Sequence, residues 1–152
     1  MDIIVIFVFA VVSTGLVKGT CPSTCSCVDD SSGSKIYCNS KYLGRIPALP
    51  NDTYYLELGF NNITEIDIQF CKEMPQLQYL YLHYNEISVI EPFTFVDLPN
   101  LHYLYLHYNE ISVIEPFTFV DLPNLRYLTL SNNKIRSLVS YTFINLTNLY
   151  EL

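Results

Sequence analysis

The sequence predicts an α/β-type solenoid. It should have a curved parallel sheet on its concave face, loops and short turns on its convex face, and a disulfide-tied cap at the N-terminal end. Three observations carry this. Residues 77–100 and 101–124 are two copies of one 24-residue unit, differing only at Gln78 against His102. The same register extends outward, with units starting at Thr53, Leu77, Leu101, Leu125 and, for a partial unit, Leu149. Four cysteines are packed into residues 21–38, spaced Cys-x3-Cys-x-Cys-x10-Cys, just ahead of the first unit. A period in the range of about 20–50 residues marks units that bury their apolar faces only against their neighbours.

Residues 1–19 read as a secretory signal peptide. Residues 3–12 are an unbroken apolar run, too short to span a bilayer, and small and polar residues follow at Ser13, Thr14 and Gly15. Asp2 departs from the usual basic start. Cysteines beginning directly afterwards imply an oxidising compartment, so the protein is expected to be secreted or the ectodomain of a longer membrane protein. No later apolar stretch is long enough for a membrane-spanning helix.

Residues 20–52 should form the cap. Ile36 and Cys38 alternate as in a short strand, and Pro47 and Pro50 interrupt regular structure before Asn51. A solenoid end exposes a sheet edge and an apolar cross-section, which a cross-linked cap covers.

Residues 53–152 carry the repeats. Positions 1, 4, 6, 11, 14, 19 and 22 are apolar. In the fourth unit these are Leu125, Leu128, Leu130, Ile135, Leu138, Phe143 and Leu146. Alternation at positions 4 and 6 is the period of a half-buried strand, and stacking the units aligns these strands in parallel. Pro92 and Pro116 argue against long helices on the return. Position 9 is Asn in each full unit (Asn61, Asn85, Asn109, Asn133). Its amide is expected to pair with turn backbone in the next unit, forming a ladder.

The pattern LxxLxLxxNxIxxI, with Phe at 19 and Leu at 22, resembles extracellular leucine-rich repeats of the 24-residue type. The four-cysteine segment, with Pro22 after its first cysteine, resembles that family's N-terminal cap. The resemblance covers residues 21–152 and implies the pairings Cys21–Cys27 and Cys25–Cys38; spacing alone allows three connectivities. The first unit departs at Thr53, Met74 and Cys71, the last standing where later units have Phe95, Phe119 and Phe143. Cys71 is read as a small buried hydrophobe, the alternative being a thiol that links two chains. The sequence stops four residues into a fifth unit with no second cysteine cap. Either more protein follows, another chain (a second copy included) covers that end, or the product is truncated. A fragment is the expectation.

Strand residues between the core leucines point to the concave face. Positions 3, 5, 7 and 8 therefore gather Tyr79, Tyr81, His83 and Tyr84, Tyr103, Tyr105, His107 and Tyr108, and Tyr127. An exposed aromatic patch of this kind is the candidate ligand-binding surface. Tyr also serves a strand simply as a β-former, and duplication alone repeats it. His83 and His107 share a column, yet no third ligand stands convincingly beside them, so no metal or cofactor is expected. Sequons at Asn51, Asn62 and Asn145 are candidate glycosylation sites.

The net charge of −7 and the lack of any basic run argue against nucleic acid. No phosphate loop, nucleophile elbow or placed carboxylate pair is present, so no enzyme is expected. The resemblance implies a module that binds a protein or other extracellular macromolecule, in adhesion, receptor or innate-immune recognition. The alternative is a matrix structural component resembling small leucine-rich proteoglycans.

Overall fold

The computed structural model describes residues 20–152. The signal-peptide reading of residues 1–19 lies outside them. The described chain is a β-solenoid of about five turns built on a six-stranded sheet. Two strands come from the cap, β1 (Ser26–Asp30) and β2 (Gly33–Tyr37), and the others from successive units: β3 (Thr53–Glu57), β4 (Tyr79–Tyr81), β6 (Tyr103–Tyr105) and β9 (Tyr127–Thr129). From β2 onward every neighbour is parallel, and from β3 to β9 the register is in phase, Leu56, Leu80, Leu104 and Leu128 standing side by side.

The cap adds an antiparallel hairpin that sequence reasoning did not anticipate. β1 pairs with β2 and covers the edge of the first parallel strand. Gly33, at the turn, has φ +127°, and a Cβ there would stand 2.2 Å from the Asp52 carbonyl oxygen. No L side chain fits so close an approach. Disulfides join Cys21 to Cys27 and Cys25 to Cys38, as the family resemblance implies. Asp30 fastens the hairpin to the first unit. Its carboxylate accepts the Tyr54 hydroxyl at 2.6 Å and meets Lys35 at 3.1 Å. The Tyr54 hydroxyl first, then the Ser32 amide and Lys35, hold its pKa down at about 2.

The core is one continuous apolar column. Leu56, Leu58, Ile63, Leu77, Leu80, Leu82, Ile87, Leu98, Leu101, Leu104, Leu106, Ile111, Leu122, Leu125 and Leu128 are fully buried. Phe95 and Phe119 stack inside it at 5.3 Å between ring centres, and Phe119 meets Phe143 at 5.3 Å. Cys71 fills the equivalent place in the first unit, where burial pushes its thiol up to about 12. The return path is short strands, β5 (Val89–Ile90) with β7 (Val113–Ile114) and β8 (Phe119–Val120) with β10 (Phe143–Ile144). The first unit instead forms one helical turn, α1 (Ile68–Lys72), capped by the Asp67 carboxylate accepting the Gln69 amide. Later units have Glu91, Glu115 and Val139 at that position, which cap poorly.

The Asn ladder forms, but toward the preceding unit rather than the next. Asn85 accepts the Ile63 amide at 3.0 Å and donates to the carbonyls of Leu58 and Leu82. Asn109 and Asn133 repeat this against Ile87 and Ile111. The reason is directional. Backbone N–H groups at the bend point forward along the solenoid (Leu58 to Tyr81, Leu82 to Tyr105), so their acceptor must come from the following unit. Asn61 applies the same device to the cap, accepting the amides of Lys41 and Leu43.

Asn85→Ala would leave the Ile63 amide buried without an acceptor and remove a donor from the carbonyls of Leu58, Leu82 and His83. It should cost about 2–3 kcal/mol. Asn85→Asp keeps the acceptor but faces three carbonyls with a carboxylate, and should cost at least as much. Urea unfolding followed by circular dichroism checks both.

Candidate functional site

The concave face carries four aromatic columns. Strand alternation sends positions 4 and 6 into the core and positions 3 and 5 to the opposite face. At position 3, Tyr55, Tyr79, Tyr103 and Tyr127 follow one another at 5.7, 5.0 and 4.8 Å. At position 5, Tyr81 and Tyr105 stack at 4.9 Å and 6°. At position 7, His83 and His107 stack at 5.0 Å and 12°. At position 8, Phe60, Tyr84 and Tyr108 stack at 4.5 and 4.3 Å. All nine predicted aromatic and histidine residues thus share one surface.

Two features of the columns were not legible from alternation. The strand tyrosines are half-buried rather than openly exposed, because neighbouring rings cover one another's faces. Open exposure belongs to position 8, with Phe60 at 52%, Tyr84 at 40% and Tyr108 at 44%. Position 8 is also not strand. Phe60, Tyr84, Tyr108 and Asn132 lie at φ 58°, 52°, 53° and 54°, in the left-handed region. Asn tolerates that conformation, but a bulky aromatic residue there is an outlier costing about 1 kcal/mol or more. Left-handed aromatics recur at position 17, where Phe93, Phe117 and Tyr141 form a second exposed column on the return side. Position 21 uses the ordinary choices, Asp97, Asp121 and Asn145.

The histidines sit differently despite their equivalence. His107 Nδ1 pairs with the Thr129 hydroxyl at 3.0 Å. His83 Nδ1 is buried with no hydrogen-bond partner among the described residues, since the position matching Thr129 is Tyr105, which carries no hydroxyl on Cβ. Gly59 makes room for the His83 ring; a Cβ there would stand 2.5 Å from Cε1. Burial lowers the pKa of His83, with His107 adding to it, and burial lowers that of His107. Parallel stacked imidazoles do not converge their lone pairs on one point, and a shared metal would need the rings to turn. His102 lies apart, its Nδ1 against the Asn100 carbonyl. Glu57 holds position 5 in the first unit, between Tyr81 and the cap's Tyr37. It accepts the Gly59 amide at 2.9 Å, and burial raises its pKa. Burial first, then the neighbouring Tyr55 and Tyr105, pushes the Tyr81 phenol up as well.

Of the sequon residues, Asn62 and Asn145 are exposed and Asn51 is half-buried. Asn62 donates to Glu86 at 2.7 Å and Asn145 to Asp121 at 2.8 Å. Thr53, in the Asn51 sequon, is fully buried and its hydroxyl donates to the Pro50 carbonyl.

The parallel ladder, the Asn column and the stacked units define a repeat-built solenoid. The leucine rich repeat family matches residues 53–111 and 99–152, and the chain belongs to that family. It is 39% identical over 70 residues to leucine-rich repeat-containing protein 3 of Danio rerio, a match covering 45% of this chain and 26% of that protein. It is 36% identical over 58 residues to prolargin of Bos taurus, covering 38% of this chain and 15% of prolargin. Among solved structures, a TLR13–ssRNA13 complex superposes with a TM-score of 0.65 and 28% identity, over 74% of this chain and 16% of that one. The chain therefore matches about a quarter or less of the length of these relatives.

The histidine pair makes stability pH-dependent. Both native pKa values lie below the ordinary value of 6.5, so below that pH the unfolded chain binds protons that the native state resists. Stability should be full above about pH 7 and fall as pH drops through 6.5 toward the native values. The urea midpoint should decline between pH 7.5 and 5.5, and decline less in a His83→Gln/His107→Gln double variant.

Proposed function

We propose that this chain is an extracellular leucine-rich repeat binding module that takes a protein ligand on its concave aromatic face. The observation that carries the reading is the position-8 column. Phe60, Tyr84 and Tyr108 hold an unfavourable backbone conformation, remain exposed and contribute nothing to the core. Phe93, Phe117 and Tyr141 share that strain on the return side, so it is the continuity of the position-8 column with the histidine and tyrosine columns that points to this face. The stacked tyrosines beside that column supply rigid contact area at little entropic cost. Two disulfides support an oxidising compartment. The family supports recognition over catalysis. Similarity to prolargin favours a second reading, a matrix structural component; a glycosaminoglycan-bearing form would lose mass on chondroitinase treatment.

Thr129 occupies position 5 in the fourth unit, so Tyr81→Thr/Tyr105→Thr removes two rings while keeping a residue the fold already accepts there. The double variant should weaken binding of the extracellular partner by about 2 kcal/mol, or roughly thirtyfold, at unchanged circular dichroism. A convex-face change, Val113→Ala, should leave it within twofold. Equal affinity for the Thr variant and the native chain would retire the concave face as the binding surface.

A further inference from the structure

We infer that the occupant of the concave face is a basic polypeptide segment. It packs its apolar side chains and backbone on the aromatic columns and sets Lys or Arg against a carboxylate margin. The inference rests on the reading of that face as a binding surface.

Between Lys72 and Arg126 the chain carries seven carboxylates and no Lys or Arg. Two of them, Glu86 and Glu110 at position 10, stand exposed two residues beyond Tyr84 and Tyr108, along one margin of the columns. Glu86 accepts the neutral Asn62 amide. Glu110 faces Lys134. Glu57 lies in the position-5 row, and Glu151 is bridged to Tyr127; Lys35, on the cap strand beside Tyr55, is paired with Asp30. The floor of the face is Tyr and His, with both stacked imidazoles biased toward the neutral form. A like-charged partner meets repulsion here, and a cationic one is steered in.

The stacking decides between classes of partner. Nucleobases and sugars dock on the free faces of aromatic rings. In these columns the neighbouring rings lie within 6–12° of parallel from the second unit to the third, so the interior faces are spent on one another. What remains outward is ring edges and phenol hydroxyls, which suit aliphatic side chains and peptide groups. A polyanion such as RNA also meets the carboxylates.

The test selects a random dodecapeptide display library on the full chain. Enriched peptides are then measured by fluorescence anisotropy against the native chain, Glu86→Gln/Glu110→Gln, and Tyr84→Asn/Tyr108→Asn. Asn132 holds the same backbone conformation in the fourth unit, so the Asn pair keeps the fold and relieves strain. Enriched peptides should carry net positive charge. They should lose at least about fivefold in affinity with the Gln pair at low salt, less at 0.5 M salt, and lose affinity with the Asn pair. Neutral or acidic peptides that depend on Tyr84 and Tyr108 but not on the carboxylates would overturn the basic-partner inference and leave the concave-face reading standing. Peptides indifferent to the Tyr change, or no enrichment over the uncoated control, would overturn both. Binding of a single-stranded oligouridine that the Asn pair abolishes would overturn the polypeptide assignment.

Discussion

A buried amide with no backbone carbonyl to meet is the constraint on which the rest of this solenoid depends. At each bend the N–H of position 11 (Ile63, Ile87, Ile111) points along the axis toward the following unit, where the chain has already turned away from the sheet. The Asn two positions before the equivalent residue of that following unit supplies the acceptor, and its own amide ties back to carbonyls of both units. Each Asn therefore fixes the axial spacing and rotation of one unit on the one before it. Because Asn61 does the same against Lys41 and Leu43, the disulfide-tied cap is the first rung of the same ladder.

That fixed spacing gives the concave face its character. Units held in phase bring equivalent side chains to within 4.3–5.0 Å, ring centre to ring centre, across the second and third units. Ring stacking is then a consequence of register, and it explains why the strand tyrosines are half-buried although no core residue covers them. The left-handed bend at position 8 turns Tyr84 and Tyr108 out of strand alternation and leaves them the most exposed rings of the duplicated patch. Ladder, stack and exposed column are links in one chain of causes. The duplication repeats Glu86 as Glu110, and neither central unit contains Lys or Arg.

The architecture was legible because solenoids write their period into the sequence. Leu80, Leu82, Leu104 and Leu106 have to be apolar whatever the protein does, and the duplicated unit made their spacing plain. The columns at positions 3, 5 and 7 followed from alternation; the column at position 8 owes its placing to the left-handed bend. Less visible were features set by backbone conformation. A left-handed Phe or Tyr carries no mark in a sequence, where Gly or Asn would, so neither the strain at position 8 nor the second column of Phe93, Phe117 and Tyr141 stood out. The Asn at position 8 of the fourth unit, Asn132, was the available clue. The ladder's direction was misjudged because the orientation of the bend amides is a property of the parallel sheet, not of the Asn. The cap hairpin was missed since Val28, Asp29 and Asp30 do not alternate in hydrophobicity.

Hydrogen exchange at the amides of Ile63, Ile87 and Ile111 tests the ladder most directly. These amides have only a side-chain carbonyl from the next unit to protect them. If the Asn column holds the units in register, they exchange only with global unfolding, as slowly as the strand-end amides of Leu82 and Leu106. Exchange at the rate of an open surface loop, with the strand amides still protected, would contradict the account.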